Sequence, residues 1–460
     1  MRRAFACSLL LLQLVVCGCH TSRQPYVRVI SSYDRGDADE ALRELDQLAE
    51  TRGSERDIIS LNRAIAYLLA SQPESTVRTL ETTRRRLRYL RQTDVFEQSM
   101  SGLNDDSDIA WSGCEFEQRM VDNLQILASL LQNDDDSFAL AARGMSDVQV
   151  DQRELKRLSR SAEFNNPESV EHSPSPVRLS ANRMTAWMAA AVSSENIQNA
   201  DATDRLIRQV AVWEPSGDLS ESLAILGTRT SKGFGTLQVV ILAGRISPLQ
   251  AEEVIPTTAA LLIADHILST ASDHSLPATV SPILITRPIE CYYHREFLTK
   301  VSVNGRPAGS SQVLVDLNAT AWDAWLAQRD QQLARGVVRR ILKKSAVYGT
   351  KNALGVRKGS GTDLLLNLAG MYWESREQAD LRQWYLLPAA VEVVQMELPV
   401  GVHGVQLQVE AARRDKQGRC SDRLETPVRI EDGRNTFLLC FRPEDRLLAV
   451  QCSAEQGTGL

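Results

Sequence analysis

Past the first twenty residues, no stretch of the 460-residue chain is apolar for the ~20 residues that a bilayer-spanning helix needs. Histidine is scarce too. The six are His20, His172, His266, His274, His294 and His403, and no two stand at the i, i+3 or i+4 spacing that lets one helix face grip a metal. Cys291 and His294 form a lone Cys-x-x-His without two further ligands. There is no Gly-x-Ser-x-Gly elbow, phosphate loop or dinucleotide fingerprint, and Lys358-Gly359-Ser360-Gly361 has the spacing of none of these and reads as a loop. The acidic runs around Asp105 to Asp108 and Asp134 to Asp136 lack the spaced ligands and glycine of a calcium loop, and read as acidic helix starts. Positive charge is not in excess: the formal net charge is −6, which argues against general nucleic-acid binding. No catalytic residue, metal or cofactor is therefore assigned, and the chain does not read as an enzyme.

What is present begins at the N-terminus. Arg2 and Arg3 precede an apolar run from Ala4 to Val16, interrupted only by Ser8 and Gln13. The run is too short to span a membrane and suits the core of a signal peptide. It ends at Val16-Cys17-Gly18-Cys19, the aliphatic–x–small–Cys pattern of a bacterial lipobox. Cys17 departs from the more usual Ala or Ser but is small enough to fit. The chemistry implied is attachment of diacylglycerol to the Cys19 thiol, cleavage before it, and acylation of the new amine by a palmitate-like chain. Two or three acyl chains, each contributing ~0.8 kcal/mol per buried methylene, hold a protein stably where one would be marginal. No Asp follows Cys19, so the outer membrane, facing the periplasm, is the expected destination. Five cysteines follow Cys19, namely Cys114, Cys291, Cys420, Cys440 and Cys452. In an oxidising compartment, a bridge could form among the last three, and their pairing is not readable from spacing.

From Tyr26 to Glu214 apolar residues recur at helical spacing. Ala38, Ala41, Leu42, Leu45 and Leu48 mark one face, Ile58, Leu61, Ile65 and Leu68 a second, and Phe116, Met120, Leu124, Leu127 and Leu131 a third. Breaks at Gly36, Gly53, Pro73 and Asn133 divide the pattern into short antiparallel helix pairs. Two pairs resemble tetratricopeptide repeats: Gly36 and Ala41 take small positions in the first, and Trp187, Ala191 and Pro215 take the aromatic, small and terminating positions in the last. Ser194 and Thr203 break that pattern, so a generic array of helical hairpins fits as well. Either would stack into a curved solenoid. Arg84, Arg85, Arg86, Arg88 and Arg91 make a basic helix end that reads as a solvated face.

After Pro215 the pattern changes. Leu237 to Ala243 is a continuous apolar run of strand length, a helix follows over Thr257 to Thr270, and strands are predicted at Ile283 to Thr286 and Leu298 to Val303 before the turn Asn304-Gly305. A long helix carries Trp322, Trp325, Leu326, Leu333, Val337 and Ile341 on one stripe, and another helix is predicted over Thr362 to Arg376. Asp265-His266 reads as part of a helix with a partly buried structural histidine. From Ala389 the chain looks all-β: Val405, Leu407 and Val409 alternate, and Val428 and Ile430 lead through Asp432-Gly433 into Phe437, Leu439 and Phe441. Pro399-Val400-Gly401 and the strands after it resemble the small PEGA-type β-sandwich modules of bacterial surfaces. Asp380, Arg382 and Trp384 could bind a ligand, but an ion pair and a buried indole bracing the junction between two C-terminal modules is the simpler reading.

The segments Trp111 to Glu117, Leu261 to Asp265, Val301 to Gly305, Arg335 to Arg340, Asp380 to Trp384 and Leu387-Pro388 spread over most of the chain. Through them the chain resembles a family of uncharacterised bacterial lipoproteins described as tetratricopeptide-containing, with Cys114 a departure where a small or acidic residue is expected. The resemblance implies an envelope role near cell-wall synthesis and no known reaction.

The expected organisation is a signal peptide over 1–18, a lipidated N-terminus and helical-repeat domain over 19–215, an α+β domain over 230–385 and a small antiparallel β-rich module over 386–460. The fold class is thus multidomain, a helical-hairpin array followed by α+β and β parts. Two functions are compatible with it. One is a membrane-anchored scaffold or adaptor that binds an envelope protein through its helical array. The other is an envelope enzyme or small-ligand receptor with its site in the α+β domain. Mass spectrometry of the mature N-terminus is expected to find Cys19 carrying the lipid, and an unmodified residue at that end would contradict the assignment.

Overall fold

The computed structural model describes residues 24–92, 110–134, 136–146, 180–195, 199–212, 219–227, 230–271, 281–290, 298–353, 379–415, 418–444 and 446–453. Cys19 and the lipobox, Cys291 and His294, Lys358 to Gly361 and the helix predicted over 362–376 lie outside the described residues.

The N-terminal half is helical where the stripes predict it. Its helices are α1 (Val27–Arg35), α2 (Ala38–Thr51), α3 (Arg56–Leu69), α4 (Pro73–Gln92), α5 (Glu115–Leu131), α6 (136–146), α7 (Ser180–Ser194), α8 (Ala200–Val212) and α9 (Ser220–Gly227). Local chemistry sets the boundaries. Gly36 closes α1 at φ 80°, a left-handed conformation that glycine adopts without Cβ strain. The Asp37 carboxylate caps α2 by accepting from the Glu40 N–H at 3.0 Å. Pro73 opens α4, where its missing N–H costs nothing. Helices joined by a few residues, such as α3 and α4, pack on one another as hairpins.

The strands that follow form three groups. A central five-stranded sheet runs β11-β10-β1-β7-β6, where β1 is Phe234–Ala243, β6 is Gln312–Asp316, β7 is Ala390–Pro399, β10 is Asn435–Arg442 and β11 is Leu448–Cys452. A second sheet runs β5-β4-β8-β9, from β4 (Lys300–Val303), β5 (Arg306–Ser310), β8 (Gly401–Asp415) and β9 (Gly418–Ile430). The third is a two-stranded ribbon of β2 (Leu249–Val254) and β3 (Ile283–Pro288), packed with α10 (Thr258–Ala271) and the long α11 (Leu317–Ala353). Asn304 and Gly305 turn β4 into β5 with φ of 51° and 76°, the paired positive values of a tight hairpin turn.

The chain is thus a mixed α+β protein, but the expected division at 385/386 does not separate its sheets. β1 pairs antiparallel with β7 and parallel with β10, and β4 pairs with β8, so each of the two larger sheets draws strands from both sides of that boundary. The expected antiparallel C-terminal module is corrected accordingly. Asp432-Gly433 does make a turn, but it carries the chain from the second sheet into the central one instead of closing a hairpin.

Alternation along β1 explains the layering. Leu237, Val239, Ile241 and Ala243 face the second sheet and pack with Val405, Leu407, Val409 and Val428. Val240 and Leu242 point the other way, into a core shared with α3, α5, α7 and the residues Val391, Val393, Leu439 and Phe441. The helical half is therefore one cover of the central sheet, with its inner helices against the strands. Between the two sheets, the Glu392 carboxylate pairs with Arg442 and accepts from the Ser311 hydroxyl at 2.5 Å. Breaking such a fully desolvated pair from one side costs ~3–5 kcal/mol.

Val240, Leu242, Val391, Val393, Leu439 and Phe441 would all be bared by removal of the helices. At ~1.5–3 kcal/mol each, that loss matches or exceeds the ~5–15 kcal/mol by which a domain is stable. A chain of residues 216–460 alone is expected to lack a cooperative melting transition, whereas a sharp transition would show that the C-terminal half folds without its helical cover.

Candidate functional site

Residues 379–389 form a strap, with a turn at Tyr385 and Leu386, that leads into β7 and lies along the inner face of the helices. Helix side chains receive its backbone. The Trp384 N–H donates to Glu117 Oε1 at 3.2 Å and the Leu386 N–H to Asn62 Oδ1 at 2.8 Å. Tyr385 stacks on Tyr26 with ring centroids 4.2 Å apart. Trp384, Leu386 and Leu387 are fully buried. A helical array usually offers this kind of surface to a peptide from another chain; here the chain's own strap and sheet occupy it.

Each receiving residue is fixed by its helix. Asn62 sits within the apolar stripe of α3 and spends its amide N–H on Ile58 O at 2.8 Å, leaving the oxygen for the strap. Glu117 is the third residue of α5 and also accepts from the Cys114 N–H at 2.7 Å, so one carboxylate caps its own helix and holds the strap. Burial pushes the Glu117 carboxyl up to about 7, against the two backbone N–H groups that favour its charge. Burial and the neighbouring Glu55 carboxylate, 2.8 Å from its hydroxyl, raise the Tyr26 phenol. Farther along the same junction, Glu195 accepts from the Asn435 N–H at 2.7 Å, and Arg245 grips Asp34 through two bonds of 2.8 and 2.9 Å.

The sequence candidates fall as follows. Arg382 and Asp380 form a two-pronged ion pair, with both N–H···O distances 2.8 Å, and Trp384 is buried. They brace the strap against the helices and β3, not a junction between two C-terminal modules. His266 is exposed, so the expected partly buried histidine is corrected. Cys440 and Cys452 are buried, and neither is in a disulfide. Among the described residues no group of three His, Cys, Asp or Glu could hold a metal. Sequence reading did not single out Asn62 or Glu117, although a polar residue inside the α3 stripe was a visible signal.

A separate cleft of about 320 Å³, with no strap residue among its lining, opens between α6, α7 and α8. Its walls are mainly apolar, from Phe138, Ala141, Met145, Ala189 and Leu206, with Arg205, Ser193 and Gln209 as polar groups. Among the described residues no carboxylate, histidine or cysteine lines it. Phe138 is half exposed.

Comparison of the chain with family models, with curated proteins and with solved structures finds no match.

A carboxyl raised on folding stabilises the protein while it stays protonated. That contribution is full below the ordinary value of 4.5 and is lost as pH rises through about 7. Between pH 5 and pH 8 the melting temperature of the wild type is expected to fall relative to that of Glu117→Gln. A pH-independent difference between the two would show that the Glu117 carboxyl titrates normally.

Proposed function

We propose that the protein is a membrane-anchored envelope lipoprotein that works as a binding scaffold, taking an envelope protein at the outer surface of its helical half. The observation that carries this reading is the cleft between α6, α7 and α8. It combines apolar side chains with the polar groups of Arg205, Gln209 and Ser193, and it presents Phe138 at its edge. Such a slot suits the apolar face of a partner helix or an extended segment, with the polar groups selecting polar neighbours. Among the described residues its lining holds one cation and no carboxylate, histidine or cysteine to activate the Ser193 hydroxyl, which favours recognition over turnover there.

The occupied inner face directs the reading outward. In a tetratricopeptide-like array the inner surface would be the binding groove, and the small residues Gly36 and Ala41 in the first hairpin support that kinship. Because the strap and the central sheet fill that surface, a partner has the outer helices and the clefts between them. The family resemblance makes a component of cell-wall synthesis the first class of partner to test, and the anchor would raise its local concentration so that modest affinity suffices.

A photo-crosslinking residue in place of Phe138 is expected to trap a distinct envelope protein in intact cells, with the yield falling when Leu206→Asp is added. Phe138 is half exposed, so the substitution leaves the fold intact. Crosslinks only within the chain, or a yield unaffected by Leu206→Asp, would overturn the cleft as the binding site.

A further inference from the structure

The stripe of α11 that packs at Leu333 and Val337 against α10 and β3 continues toward the start of the helix through Trp322, Trp325, Leu326 and Arg329. These four stand at i, i+3, i+4 and i+7 and share one face. The sequence places Trp322, Trp325 and Leu326 on one apolar stripe with Leu333, Val337 and Ile341. Yet Leu326 is 48% exposed and both indoles are only partly covered. The rings of Trp322 and Trp325 lie 5.0 Å apart. The Arg287 guanidinium sits over both, 5.1 and 5.8 Å from their centroids, and Arg329 sits over Trp325 at 5.7 Å.

These arginines are unusually poor in acceptors. Arg287 reaches Glu252 at 3.3 Å across a partly exposed contact, while Arg329 makes no ion pair among the described residues. The Nε of each is buried without an acceptor. The nearby acids do not supply one: Asp330 accepts from the Thr257 hydroxyl at 2.7 Å. Two guanidinium groups held on indole faces, beside an exposed leucine, match a phosphodiester with an apolar layer beneath it. Guanidinium binds phosphate oxygens in a planar fork, indoles settle at the level of lipid headgroups, and a leucine can enter the acyl boundary.

The position of the patch selects a membrane over an acidic protein. The Trp325 indole N–H donates to Thr286 O at 2.7 Å, and the Thr286 hydroxyl donates to Asp380 O at 2.7 Å. Five residues on, Tyr385 stacks on Tyr26. The patch and the start of the described chain are thus joined by one short strap. Gln24 follows Cys19 by a stretch that spans at most ~18 Å. An acidic chain of net charge −6 is repelled from an anionic surface except where cations are concentrated.

We propose that Arg287, Trp322, Trp325, Leu326 and Arg329 form an interfacial patch that seats on anionic phospholipid headgroups and lays α11 against the membrane. The proposal rests on the anchored reading above, because tethering brings the patch within reach of lipid. It gives the anchored body a fixed orientation, with one end of the fold on the bilayer.

Residues 20–460, made without the leader, retain every described residue and serve as the unlipidated test protein. They are to be sedimented with phosphatidylcholine vesicles, with or without phosphatidylglycerol. Phosphatidylglycerol is expected to tighten binding on the order of thirtyfold, as two arginines near an anionic surface would. Arg329→Glu and Leu326→Asp are each expected to abolish most of that gain at an unchanged melting temperature, and Arg78→Glu on α4 to leave it intact. No binding, equal binding to both vesicles, or an equal loss with Arg78→Glu overturns the patch. Mass analysis of the protein from cells tests the anchor separately. Lipid on Cys19 together with an unlipidated form that ignores anionic vesicles upholds the anchor and overturns the patch. Preference for anionic vesicles in a chain that carries no lipid in cells upholds the lipid-binding surface and overturns the anchored reading.

Discussion

The central sheet is buried on both faces, and the rest of the molecule is arranged to meet that requirement. A strand such as β1 alternates its side chains, so Leu237, Val239, Ile241 and Ala243 need a cover opposite to the one over Val240 and Leu242. The second sheet supplies the first and the helices supply the other. Neither cover is a free-standing unit attached by a linker. The parallel pairing of β1 with β10, strands separated by most of the C-terminal half, ties the first strand of the fold to nearly the last.

Apolar burial alone would let the helices slide over the sheet, because it has little directionality. Polar pins fix the register. Asn62 and Glu117 each receive a backbone N–H of the strap, Glu195 receives that of Asn435, and Arg245 holds Asp34. An unmade bond at either of the two buried positions, Asn62 and Glu117, would cost ~1–3 kcal/mol, so misregistered packings are penalised. The same pins take the inner surface of the helices out of play for other proteins. Under the proposed function, recognition would fall to the outer helices, and orientation at a membrane to the exposed end of α11.

Local elements were legible in the sequence and their assembly was not. The stripes at Ile58 to Leu68 and Phe116 to Leu131 gave α3 and α5, and the unbroken run Leu237 to Ala243 gave β1, because periodicity reports how a segment meets its surroundings. Asp432-Gly433 signalled a turn, but a turn sequence does not say whether the next strand stays in the same sheet. The apolar stripe of α11 did not reveal that its first turns, at Trp322 and Leu326, reach past their cover. Asn62 and Glu117 were hidden for a related reason: a buried polar residue is meaningful only through its partner, and both partners lie more than 250 positions away.

Hydrogen exchange followed by mass spectrometry under mild denaturant tests most directly whether the helices and the central sheet are one body. Amides of α5 and of β1 are expected to open in the same cooperative event, with the same free energy and the same denaturant dependence. Exchange of α3, α5 and α7 at low denaturant while β1 and β10 stay protected would contradict it, because the sheet would then stand without the cover assigned to it.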